Sequence, residues 1–130
     1  MYQFASQCDI MYIIRKNWGG SFPVGFEFPK TASTHTTGLL SSVSSRMVSP
    51  IHFEETVNFK VWSSGTDARK KAFNAGSELF EYLMNLRITS DNITGVDVLS
   101  APFITQDPTL NIPVAEFTLV FYTVNDRTQQ

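Results

Sequence analysis

The groups that could do chemistry in this chain are few. Its 130 residues contain two histidines, His35 and His52, and one cysteine, Cys8. A nucleophilic triad needs a histidine held beside a serine or cysteine. His35 falls in a Ser/Thr-rich segment without period, and His52 falls on the polar side of an alternating stretch. Neither G-x-S-x-G nor a Cys/His family signature is present. A metal site needs three or four convergent ligands. His52, Glu54 and Asn58 share one side of a strand, which is a weak set, and the plain reading of each histidine is solvated polar surface. Glu54 and Glu55 are neighbours in sequence, so on a strand they point to opposite faces and cannot work as a carboxylate pair. "NWGGSF" reads as a helix stop and not as a phosphate loop. The expectation is a protein without catalytic residues, metal or cofactor, and so not an enzyme.

Composition narrows the classes further. The net charge of −2 lacks the basic excess of a nucleic-acid binder. The aromatics alternate as core positions and are not interleaved with basic residues, which argues against a single-strand stacking surface. Charged residues make up 17% of the chain and Phe occurs 11 times, a balance that suggests some surface is covered by a partner. No apolar run approaches the roughly 20 residues that span a membrane. The first residues, "MYQFASQCDIMYIIRKNW", do not have the form of a signal peptide. With Cys8 alone there is no intrachain disulfide, and the default expectation is a reducing, cytoplasmic origin.

The periodicity then supplies the scaffold. Phe4, Cys8, Met11 and Trp18 fall on one stripe and predict a helix over 2–18, stopped by Gly19 and Gly20. A strand at "IMYII" is the rival reading. "FPVGFEFP" is a short extended piece bracketed by Pro23 and Pro29. Residues 30–50 are about half Ser or Thr, with few apolar anchors, and predict an extended arm or loop, or else a hairpin arm. "IHFEETVNFKVW" alternates and predicts a half-buried strand over 51–62. After "SSGT", with Thr66 or Asp67 as cap, a helix follows over 66–86. Its expected buried stripe is Ala68, Ala72, Ala75, Leu79, Leu83 and Leu86, widened by Phe73, Phe80 and Met84. "VDVLSAPFI" predicts a strand broken at Pro102, "TQDPTLNIP" a turn-rich link, and "VAEFTLVFYTV" a second alternating strand over 114–124. The sum is one domain, 1–130, of α+β class: a mostly antiparallel sheet with helices on one face and an extended Ser/Thr-rich arm or loop at 30–50.

Three features do not fit an isolated monomer. Arg69, Lys70 and Lys71 stand in the first turn of the 66–86 helix, where the helix dipole is already positive. Either they hydrate beside Asp67, or they meet acidic groups of a neighbouring subunit, with Glu54, Glu55 and Asp97 as candidates. Glu55 falls on the apolar side of its strand, at an edge near solvent or facing another chain. Leu39, Leu40, Val43 and Val48 are the anchors of a segment that is too polar to pack well on its own, and a neighbour is the expected place for the first three. The candidate subunit-contact residues are therefore Leu39, Leu40, Val43, Glu54, Glu55, Arg69, Lys70 and Lys71.

The order of these elements resembles the tail terminator, or tail completion, proteins of long-tailed bacteriophages. The pieces that carry the resemblance are the strand–turn–helix at 51–86, with "TDARKKAFNAGSELFEYL", and the run "VDVLSAPFITQD" before "VAEFTLVFYTV". It covers most of 2–125 and is one of pattern, with 30–50 the poorest match. It implies a structural virion protein, assembled in the host cytoplasm, that forms a hexameric ring on the finished tail tube. Its implied partners are further copies of itself, the tail tube protein and a head-completion or connector protein, with DNA passing through the ring and no membrane contact or sequence-specific nucleic-acid binding. The family has no catalytic residues to carry over. The open alternatives are another phage neck, connector or tail-tube component, or a small cytosolic ligand-binding domain.

Overall fold

The computed structural model describes residues 18–20, 22–25, 36–49, 51–85 and 93–124. The expected helix over 2–18 lies outside them, except for Trp18. The described elements are β1 (Val24–Gly25), β2 (Thr37–Ser49), β3 (His52–Trp62), α1 (Ala68–Met84), β4 (Ile93–Gln106) and β5 (Pro113–Val124). The strands form one five-stranded sheet of order β1-β2-β3-β5-β4. Only the short β1–β2 pairing is parallel, and the rest are antiparallel. With α1 packed on one face, this is an α+β fold.

The alternation of β3 and β5 sets which face α1 covers. Phe53, Glu55, Val57, Phe59 and Val61 of β3 are buried on one side, and Ala115, Phe117, Leu119 and Phe121 of β5 lie on the same side. Antiparallel register pairs Phe59 with Phe117 and Val57 with Leu119, so the two strands present one apolar surface. The Phe59 and Phe117 rings stack at 5.1 Å, and the Phe80 ring meets Phe117 edge-on at 5.5 Å.

α1 lays Ala72, Ala75, Gly76, Leu79 and Leu83 onto that surface. The small residues sit in its first half and let it approach the sheet closely. Phe73 departs from the expected stripe and is exposed, one position outside it, while Phe80 and Met84 pack at the margin of the core. Asp67 takes the N-cap position in a left-handed conformation, φ 57°, and makes no side-chain capping bond. The predicted side-chain cap is thus absent, and the first turn is closed by Lys71 N–H donating to the Asp67 carbonyl.

Two strands differ from the sequence expectation. Residues 37–49 are not a free arm or loop but the hairpin arm of the alternative reading. They pair along β3 from Thr37↔Trp62 to Ser49↔His52, with irregularities at Leu40/Ser42 and Met47/Ser49. Ser and Thr give no hydrophobic signal, but β3 supplies their backbone with hydrogen-bond partners. Pro102 does not end β4, because β4 is the outermost described strand on its side of the sheet, where a missing N–H costs little. The disturbance appears instead as register shifts between Val98 and Ser100 and between Ser100 and Phe103.

Candidate functional site

Leu39 and Leu40 belong to their own chain. Leu40 is buried in the main core, and Leu39 is buried on the opposite face with Trp62 and Val114. The expectation that they need a neighbouring subunit is therefore corrected: short β1 and the start of β2 carry both into the body of the fold. Val43 pairs with Val57 in register, and its side chain lies outside the described residues.

The Leu39–Trp62–Val114 cluster is closed by the link between β4 and β5. Asp107 organises that link. Its Oδ1 accepts the N–H groups of Thr109 and Leu110, both at 2.8 Å, and its Oδ2 accepts the Trp62 indole N–H at 2.8 Å. Leu110 and Ile112 pack on the cluster. Trp62 is thus covered by its own chain. Desolvation pushes the Asp107 carboxyl up. The bonds from Leu110, Trp62 and Thr109 and the charge of Lys60 outweigh it and hold the carboxyl below its ordinary value.

The acidic candidates divide. Glu55 is 0% exposed, and its two carboxylate oxygens each accept from Ser45 Oγ at 2.8 Å. That burial corrects the reading of Glu55 as an edge residue available to another chain. Glu54, on the open face, lies 3.4 Å from Arg46 of the same hairpin. Asp97 is exposed and accepts the Tyr122 hydroxyl at 2.8 Å. That bond first, then desolvation and the charges of Asp97 and Glu54, raises the Tyr122 phenol above its ordinary value.

Arg69, Lys70 and Lys71 are all exposed. Lys71 Nζ donates to the Ser64 carbonyl at 3.4 Å, and no carboxylate pairs with the three among the described residues. The first turn of α1 holds no acidic residue. These cations lie just beyond Trp62, while Glu54 lies eight positions earlier on β3, roughly 26 Å away along the strand. Register places Asp97 level with Thr56, near Glu54. These three cations and the acids Glu54 and Asp97 therefore lie at opposite ends of the sheet.

The open face of the sheet is a lattice of strand-to-strand polar contacts. Ser41 bonds Asn58, Asn58 donates to Thr118, and Thr105 donates to Glu116. At the hairpin end, Ser49 Oγ and His52 Nδ1 lie 2.7 Å apart, a Ser–His contact that the sequence reading did not foresee. It is solvent-exposed, and no carboxylate orients the ring among the described residues. No group of three His, Cys, Asp or Glu side chains among them could hold a metal ion. No described helix is long and apolar enough to cross a membrane.

The feature that sequence reasoning missed is where apolar side chains remain exposed. Seven large ones do so among the described residues: Met47, Val48, Ile51, Phe73, Val98, Leu99 and Phe103. Six of the seven lie at the two sides of the sheet, three on the β2–β3 hairpin and three on β4. The signal was present in "RMVSPI" and "VDVLSAPF", but which side chains point outward depends on strand order and bulges.

No protein-family model matches the chain, and no curated protein is significantly similar to it.

Proposed function

We propose that this chain is a structural virion protein: a subunit of a closed ring, six copies in number, that caps a phage tail tube and joins it to the head connector. The resemblance in element order supports the family. The ring rests on one observation, the concentration of exposed apolar residues on the two opposite sides of one sheet. A monomer gains nothing from leaving Met47, Val48, Val98 and Leu99 in water. Two different sticky sides on one subunit make a head-to-tail contact, which closes into a ring when the rotation permits and otherwise grows a filament. A terminator must close, because its task is to end growth. The basic end at Arg69, Lys70 and Lys71 and the acidic end at Glu54 and Asp97 then face opposite directions along the ring axis, suited to two different neighbours. DNA passes through the opening without sequence readout.

The test is cryo-electron microscopy of particles that contain this chain. The expected result is one ring at the head-proximal end of the tube. Repetition along the tube would make it a tube component, and a position in the collar another neck protein. Absence from the particle would sink the virion reading and turn attention to a cytosolic ligand-binding role.

A further inference from the structure

We propose that neighbouring copies join by strand addition, with the outer edge of β2 at 45–47 pairing antiparallel with the outer edge of β4 at 96–98 of the next copy. The inference rests on the ring reading for closure, but the contact itself stands on the geometry of the two edges.

β1 pairs with β2 only at Gly38 and Leu39, so beyond Leu40 no described strand lies on the outer side of β2. β4 is the outermost described strand on the other side. An unpaired edge is a template for another chain, and folds that must stay monomeric blunt it with charge, proline or bulges. β4 is blunted over 99–103, by Pro102 and two register shifts, and again by a shift between Ile93 and Gly95, but it is regular from Val96 to Val98. β2 carries one charge over 44–49, Arg46, and no proline, and it exposes Met47 and Val48 there. Between these irregularities and the one at Met47/Ser49, each edge keeps a short regular stretch, 45–47 on β2 and 96–98 on β4.

The strand directions agree. β2 is antiparallel to β3, β3 to β5, and β5 to β4. β2 and β4 therefore run in opposite directions, and a sheet continued from copy to copy makes an antiparallel β4–β2 contact. The faces agree as well. Arg46 stands opposite Glu54 and Asp97 opposite Val120, both on the open face, while Met47 stands opposite Phe53 and Val98 opposite Leu119, both on the helix face. Setting Arg46 across from Asp97 places Met47 opposite Val96 and diagonal to Val98, within reach of a long side chain. The guanidinium, 76% exposed, then lies between Glu54 of its own chain and Asp97 of the next.

Charge also selects unlike edges. Joining two β2 edges about a two-fold axis brings two Arg46 side chains together, and joining two β4 edges brings two Asp97 carboxylates together. Like charges directly opposite are unfavourable. The favoured contact is heterologous, as a ring requires.

The experiment is thioether cross-linking of the full chain with a short bismaleimide, in a Cys8→Ser background. Arg46→Cys with Asp97→Cys should give a ladder of covalent multimers ending at a closed species. Each single variant alone should stay uncross-linked, and a covalent dimer from Arg46→Cys alone would overturn the unlike-edge pairing. Assembly by light scattering without a ladder overturns strand addition and leaves the ring reading standing. A ladder that runs on without closing supports strand addition and overturns the ring. Neither assembly nor ladder overturns both. As a second arm, Arg46→Asp or Asp97→Arg alone should weaken association at least tenfold, and the double exchange should restore most of it. Failure of the double exchange to restore, with melting temperatures unchanged, counts against the pair.

Discussion

Gly76 of α1 sits directly over Ala115 of β5: a Cβ added at Gly76 would lie 2.8 Å from the Ala115 Cβ. That is closer than real side chains approach, and the obstacle is a methyl group fixed to a central strand. Gly76→Ala should therefore destabilise by about 1–3 kcal/mol through overpacking, although alanine gains about 1 kcal/mol of helix propensity over glycine. Chemical denaturation measures this. Ala115→Gly in the same chain should recover part of the loss, and a neutral or stabilising Gly76→Ala would disprove the close approach.

Leu79 is fully buried beneath α1, in the core that β3 and β5 share. Leu79→Ala should destabilise by about 2–5 kcal/mol, from lost burial and the cavity left behind. Phe73, on the same helix but exposed, supplies the control. Phe73→Ser should change the denaturation midpoint little, so equal losses at the two positions would contradict the orientation of α1.

Asp107→Ala removes the acceptor of the Trp62 indole and of two backbone N–H groups at once. It should destabilise by about 1–3 kcal/mol and increase Trp62 fluorescence quenching by small solutes as the loop loosens. The pH dependence has a definite sign. The folded-state pKa of Asp107 is depressed, so its contribution is present above the ordinary value of 3.8 and is lost as pH falls through the folded value. Thermal melts of the natural chain should therefore fall more steeply below about pH 4 than those of the alanine variant. Parallel profiles would show that the carboxylate is not linked to folding.

Arg69, Lys70 and Lys71 repel the positive end of the α1 dipole and have no carboxylate partner among the described residues. Lys70→Glu should stabilise the unassembled chain by about 0.3–1 kcal/mol at low ionic strength, and the gain should shrink as salt is added. If the cluster contacts an acidic partner in the assembled particle, the same substitution should impair incorporation into particles. A variant that is more stable yet still incorporates normally would leave the charges as solvated surface.

Much of the scaffold was legible locally, because burial on one side imposes a period. The alternation of 53–61 and 115–121 defined the helix-facing surface, and Ala72, Ala75, Leu79 and Leu83 defined the stripe that covers it. Where residues carry no period the reading failed. The serines and threonines of 37–49 give no hydrophobic signal, so a strand that draws its regularity from β3 read first as an arm or loop, and as a hairpin arm only in the alternative.

Alternation by itself determined that Glu55 shares a side with Phe53 and Val57. Only the tertiary structure decided that this position is buried, since a sequence states parity and not what lies above a face. The composition determined that apolar surface was left over. The strand order β1-β2-β3-β5-β4 decided that this surface lies on the two sides of the sheet, because only an outer strand lacks a neighbour to cover it. That Leu39 and Leu40 pack within their own subunit was likewise decided in three dimensions, where β1 and Trp62 reach them from distant parts of the chain. A local anchor is legible in sequence, but the partner it anchors to is fixed only when the chain closes on itself.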